Sequence, residues 1–190
     1  MKNSILFFIL LVTAFSQSQT ESAKLPYYEI PEYSNEYTAG TTAARMVDGL
    51  GFRFYWSSEG LTEKDLQYRP NEEVRSTEET IDHILRLSYI IVNSTLKQPN
   101  GELEAADLSY LEKRTQILEN LKTAADILRT SEDISQYKII FGEKEYPFWN
   151  QINGPIADAI WHCGQLASFR RTTGNPINPN ISQFKGIVKQ

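Results

Sequence analysis

Asp158 and His162 stand four residues apart in NGPIADAIWHCGQLASFRRTTG, residues 153–174. On a helix that spacing sends both side chains off one face, about one turn from each other. A carboxylate and an imidazole held this way can grip one metal ion. The chain has two histidines in all, and the other, His83, lies in TEETIDHILRLSYIIVN, a second stretch with helical spacing. Two histidines and one aspartate would make a three-ligand site with coordination positions left open. A purely structural role is the alternative. A carboxylate in the first turn of a helix is favoured by the macrodipole, and Asp158 can simply hydrogen-bond His162. A lone histidine beside an apolar stripe, such as His83, is commonly held by a backbone group or a carboxylate.

The helix carrying Asp158 and His162 is marked at both ends. Asn153 suits an N-cap, Pro155 falls just inside the start, and Gly174 stands past the end, giving a helix near 154–172. Ser76 and Glu79 form the S-x-x-E capping box that opens the helix carrying His83, near 77–96. Its inward stripe is Ile81, Ile84, Leu87 or Ser88, and Ile91, with His83 at the border. Glu79, one turn before His83, is a candidate partner for that imidazole, and Gln165 sits one turn beyond His162 on the ligand face. Two more helices follow from the 3.6-residue period. One, near 41–58, buries Ala43, Val47, Leu50 and Phe54, with Asp48 and Arg53 around the other side and the aromatic cluster Phe52, Phe54, Tyr55 and Trp56 as core. The other, near 108–129, is capped by Asp107 and buries Leu111, Leu118, Leu121, Ala125 and Leu128. Gly49 and Gly51 weaken the first of these and point to close packing or a bend.

The remaining stretches are connections and ends. Residues 1–18 have a lysine near the start, an apolar run and small residues before Gln17 and Gln19, the pattern of a secretory signal peptide. The mature chain is expected to begin at Gln17 or Gln19 and to be periplasmic or secreted, with no integral membrane segment after signal removal. Residues 19–40 read as an extended arm whose Tyr27, Tyr28, Tyr33 and Tyr37 can pack on the domain. Residues 131–151 read as an irregular crossover, with Tyr137, Ile139 and Phe141 alternating, and residues 175–190 as a surface tail. Asn93-Ser94-Thr95 matches a glycosylation sequon but falls mid-helix. The single cysteine, Cys163, cannot close an intramolecular disulfide, so the core must hold the fold. A net charge of −5 argues against a nucleic-acid partner. The expected fold is all-α: an antiparallel four-helix bundle over 41–174, with arm and tail. A homodimer through an exposed helix face is compatible with it, though no residue specifically calls for one.

Four pieces of the chain together resemble the DinB-like (DinB/YfiT-like) superfamily of metal-binding four-helix bundles: DGLGFRFYWSSEGLTEKDLQYRP, SxEExxxHIL around His83, WNQINGPIADAIWHCGQ, and SFRRTTGNPINP. The likeness spans about Thr41 to Gly174. It implies that His83, Asp158 and His162 bind a divalent metal, zinc first, with iron, nickel or manganese as alternatives. Asp158 stands where that superfamily generally has histidine, and two histidines with a carboxylate remain a competent set for zinc or ferrous iron. The chemistry implied is metal-dependent hydrolysis or thiol transfer on an unidentified small molecule. Export disfavours the cytosolic thiols that transfer would use. The competing function is a non-catalytic bundle that binds a small molecule or protein around a structural or vestigial metal site.

Overall fold

The computed structural model describes residues 24–102 and 108–189, so the leader at 1–18, its cleavage point and the Asp107 cap lie outside the described residues. The chain is mostly helical: α1 (Ala39–Ser58), the short α2 (Glu63–Leu66), α3 (Thr77–Leu96), α4 (Tyr110–Arg129), the short α5 (Phe148–Gln151) and α6 (Ala157–Thr173). Two small antiparallel hairpins complete it, β1 (Ile139–Phe141) with β2 (Lys144–Tyr146), and β3 (Ile181–Ser182) with β4 (Ile187–Val188). The alternation seen at 137–141 thus ends in a hairpin, and the tail is ordered into a second one.

The long helices begin where side chains satisfy their first N–H groups. Ser76 caps α3 and Ser109 caps α4, each reciprocated by a glutamate three residues on, Glu79 and Glu112. Thr38 and Thr41 form the same box for α1, which starts two residues before the position expected from the period. α6 departs furthest from expectation. Its rod begins at Phe148 and passes through a π-helical turn, Ile152–Ile156, in which Gly154 leaves helical geometry and Pro155 sits inside the rod instead of at its start. A wider turn accommodates the missing N–H of Pro155, while the buried Phe148 and Gln151 anchor the rod upstream of it.

The long helices pack as a ring, α1 on α4, α4 on α3, α3 on α6 and α6 on α1. Cross-helix contacts fix their directions. Arg114, early in α4, reaches Ser58 Oγ and the Tyr55 carbonyl at the end of α1, while Arg129 at the end of α4 pairs with Asp48, so these two run antiparallel. Lys113 meets Asp82 at 2.7 Å and Asn120 meets Ser88 at 3.1 Å, which makes α4 and α3 parallel. His83 touches Asp158 whereas the Ile91 carbonyl, further along α3, accepts from Gln151, so α3 and α6 run antiparallel. Two expectations are corrected here. Neighbours are not all antiparallel, and the helices bearing the ligands are not parallel, because Asp158 is preceded by three more turns of rod and does not mark its beginning.

The core lies inside this ring. Val47, Leu50 and Phe54, Ile81, Ile84 and Ile91, Leu118, Leu121 and Leu128, and Leu166 are all essentially inaccessible. Two residues fall on faces opposite to those expected. Leu111 is exposed in the first turn of α4, where Ile117 and Ala124 join the stripe instead, and Asp48 is fully buried beside Arg129. Desolvation drives the Asp48 carboxyl above its ordinary value, and the guanidinium of Arg129 offsets only part of that.

The end of α1 is satisfied from outside. A helix leaves its last four carbonyls without intrahelical donors, and α1 has no basic residue in its last turn. Arg114 donates to the Tyr55 carbonyl, Arg170 to those of Trp56 and Ser57, and the Tyr110 hydroxyl to that of Ser58. Below them Asp65 accepts from the Thr62 N–H and hydroxyl at 2.8 and 2.7 Å, from Asn175 at 2.8 Å and from the Thr173 hydroxyl. Burial alone would raise the Asp65 carboxyl, but these donors drive it well below the usual carboxylate range. A folded value below the unfolded one stabilises the protein above about pH 4 and withdraws that stability as the pH falls further. Urea unfolding at a series of pH values should therefore show wild type losing stability below about pH 4 more steeply than Asp65→Asn. Equal slopes would remove Asp65 as the cause.

The arm is anchored by one ring. Tyr27 takes a left-handed backbone conformation (φ 72°), rare for an aromatic residue, and lays its buried ring on Gly51, where an added Cβ would come within 2.4 Å of it. Gly51 thus serves arm packing, while Tyr28 meets Tyr55 edge to face and Trp56 at a tilt, and Tyr33 and Tyr37 stay exposed. Gly51→Ala is expected to expel the Tyr27 ring at a cost of about 1–3 kcal/mol. Trypsin cleavage after Lys24 should become faster, and an unchanged cleavage rate would contradict the anchor.

Candidate metal centre

His83 projects from the second turn of α3, a helix whose start is fixed by Ser76 and Glu79. The Glu79 carboxylate accepts from the Ser76 N–H at 2.8 Å with one oxygen and from Arg69 at 2.6 Å with the other. One oxygen is thus occupied in capping the helix and the other in the Arg69 ion pair, and Glu79 is not joined to His83 as the one-turn spacing allowed. Asp158 and His162 project from α6 just past the π-helical turn, one turn apart on the same face as expected.

The three side chains converge. One donor atom from each, an imidazole nitrogen or a carboxylate oxygen, falls within 4.8 Å of the others. His83 Nε2 lies 3.0 Å from Asp158 Oδ2, and His162 Nε2 lies 3.4 Å from Asp158 Oδ1. The two imidazole rings meet edge to face, their centroids 4.7 Å apart. Around a tetrahedral ion with bonds of about 2.0–2.1 Å, neighbouring donors stand roughly 3.3 Å apart. The two carboxylate-to-imidazole distances are close to that spacing but run to different oxygens of Asp158, so one of its oxygens would have to serve both imidazoles around an ion. Two neutral nitrogens and a carboxylate oxygen are also the donor types that divalent zinc and iron accept, so the residues present fit the ion.

The surroundings favour ligation. All three side chains are partly accessible, His162 least and Asp158 most, which leaves an approach from solvent. Partial burial holds the His83 imidazolium below its ordinary value; the Asp158 contact opposes this, and the charge of Arg75 adds to it. A neutral imidazole keeps the lone pair a metal needs. On the other ring, His162 Nδ1 lies 2.9 Å from Gln165 Oε1. Arg75 was not anticipated from the sequence, because its influence comes through the fold of the loop before α3. Trp161, next to His162, is also largely exposed, although helical spacing alone would not single it out.

Cys163, beside His162 in sequence, turns away into the core, where burial pushes its thiol up to about 12. It is therefore a protonated, inert group at neutral pH. Among the described residues no helix is long and apolar enough to cross a membrane. No family model, curated protein or solved structure matches this chain.

Proposed function

We propose that the chain is an exported DinB-like four-helix bundle in which His83, Asp158 and His162 hold one divalent cation, zinc first, as the centre of a hydrolytic site. The observation that carries this reading is the convergence of the chain's only two histidines with a carboxylate, from two separate helices, on one point. The mostly helical fold and the four sequence pieces are compatible with the superfamily likeness, and the acidic charge leaves nucleic acid the least suitable ligand. A cation held there would supply Lewis-acid polarisation of a substrate carbonyl or water. The protein's own part is to offer three donors from two packed helices, to favour the neutral form of His83 through partial burial, and to leave one side open for a small molecule.

The direct His83–Asp158 contact favours a second reading. At 3.0 Å it can clamp α3 to α6 with no ion at all, as a non-catalytic bundle with a vestigial site would. Reconstitution separates the two. Purified protein, stripped and then exposed in turn to zinc, iron, manganese and nickel, should retain about one equivalent of one of them on the metal-site reading. Retention no greater than that of His83→Ala for all four would leave the clamp as the function of these residues, and the hydrolytic proposal would fall.

A further inference from the structure

We propose that Gln165 holds His162 in the tautomer protonated at Nδ1, so that Nε2 meets the cation as a bare lone pair; the inference rests on the metal reading above. A neutral imidazole has one N–H and one lone pair, and the partner of one nitrogen decides the state of the other. His162 Nδ1 lies 2.9 Å from Gln165 Oε1, three residues on along the same helix face. An amide oxygen only accepts, so the proton belongs on Nδ1. The opposing contact, Nε2 to Asp158 Oδ1 at 3.4 Å, is beyond the usual N–H···O range.

His83 is set the other way. Its Nε2 lies 3.0 Å from Asp158 Oδ2, and a carboxylate accepts, which places the His83 proton on Nε2, the atom that faces the site. Before a cation arrives the two imidazoles therefore stand in opposite tautomers. His162 is ready to ligate. His83 must first lose its Nε2 proton to solvent and gain one on Nδ1, an exchange that releases no net proton. Gln165 is thus a positioning residue: it makes His162 the entry ligand, in the way that partners of the outer nitrogen fix metal-binding histidines elsewhere.

The test begins on metal-free protein at pH 8. Long-range proton–nitrogen spectra of the two histidine rings, assigned with His83→Gln, should show His162 protonated at Nδ1 and His83 at Nε2. Gln165→Leu, at a half-buried position, should move His162 to the Nε2 form and weaken zinc binding about 10–100-fold in a chelator competition. Gln165→Glu retains an acceptor and should keep both the tautomer and the affinity. Wild-type His162 protonated at Nε2, or a tautomer unchanged in Gln165→Leu, would overturn the assignment. If the tautomers follow this pattern but zinc binds to none of the proteins, the metal reading fails and the tautomer assignment stands.

Discussion

His162→Ala is expected to abolish stoichiometric zinc while leaving the fold intact. The substitution removes one of three converging donors and leaves a histidine and an aspartate on opposite helices, too few to hold a divalent ion against water. The loss should exceed the roughly 10–100-fold that removal of an outer partner causes. His162 contributes little to the core, and its neighbours Cys163 and Leu166 carry the packing of α6, so thermal unfolding of the metal-free variant should stay close to that of metal-free wild type. Asp158→His supplies the complementary result. Three imidazoles form a known zinc set, so binding should persist, with preference moving from oxygen-favouring manganese toward zinc and nickel. Equilibrium dialysis followed by elemental analysis reads both variants. A full equivalent of zinc on His162→Ala would place the metal elsewhere.

The largest expected loss of stability belongs to Arg170→Leu. Arg170 is buried, donates to the carbonyls of Trp56 and Ser57 at the end of α1, and binds Asn175 through its backbone oxygen at 2.7 Å and its side-chain oxygen at 3.1 Å. Leucine fills part of the volume and satisfies none of these acceptors. Each buried acceptor left unmatched costs about 1–3 kcal/mol, so an overall loss of about 3–5 kcal/mol in urea unfolding is expected, a large part of a typical domain's stability. The effect should be seen first where α1, α2 and the residues after α6 meet, as faster amide exchange at Glu59–Leu61. A loss below about 1 kcal/mol would mean that water replaces the guanidinium without cost.

What could be read from the sequence divides along physical lines. Amphipathic period and capping chemistry are local, so α3 was readable to the residue from Ser76 and Glu79, and the ligand pair on α6 from its four-residue spacing. The start of α4 is equally local: Ser109 with Glu112 forms the same box, two residues beyond the expected cap at Asp107. Tertiary packing decided the rest. Pro155 reads as a helix start only if nothing upstream is anchored, and the burial of Phe148 and Gln151 supplied that anchor. Asp48 looked solvent-facing because its partner Arg129 is far away in sequence and enters from α4. The direction of each helix was invisible for the same reason, since it depends on which carbonyls and carboxylates meet across the ring. The candidate centre was legible because it needed only residue identity and spacing, whereas the tie between His162 and Gln165 needed a rotamer.

The meeting of arm and tail bears on the order in which the molecule can be completed. The Ile30 N–H donates to the Gly186 carbonyl, the Val188 N–H donates to Glu29, and Gly186 has no room for a Cβ against Ile30. Glu29 and Val188 are 159 residues apart in sequence, and a chain made from its N-terminus presents the arm long before its partners. The arm can lay Tyr27 on α1 early, but Glu29 and Ile30 have nothing to close on until Gly186 and Val188 arrive. Emergence of β3 and β4 is thus the event that lets this surface lock, and a chain cut short before Gly186 would keep its arm open however well its helices had packed.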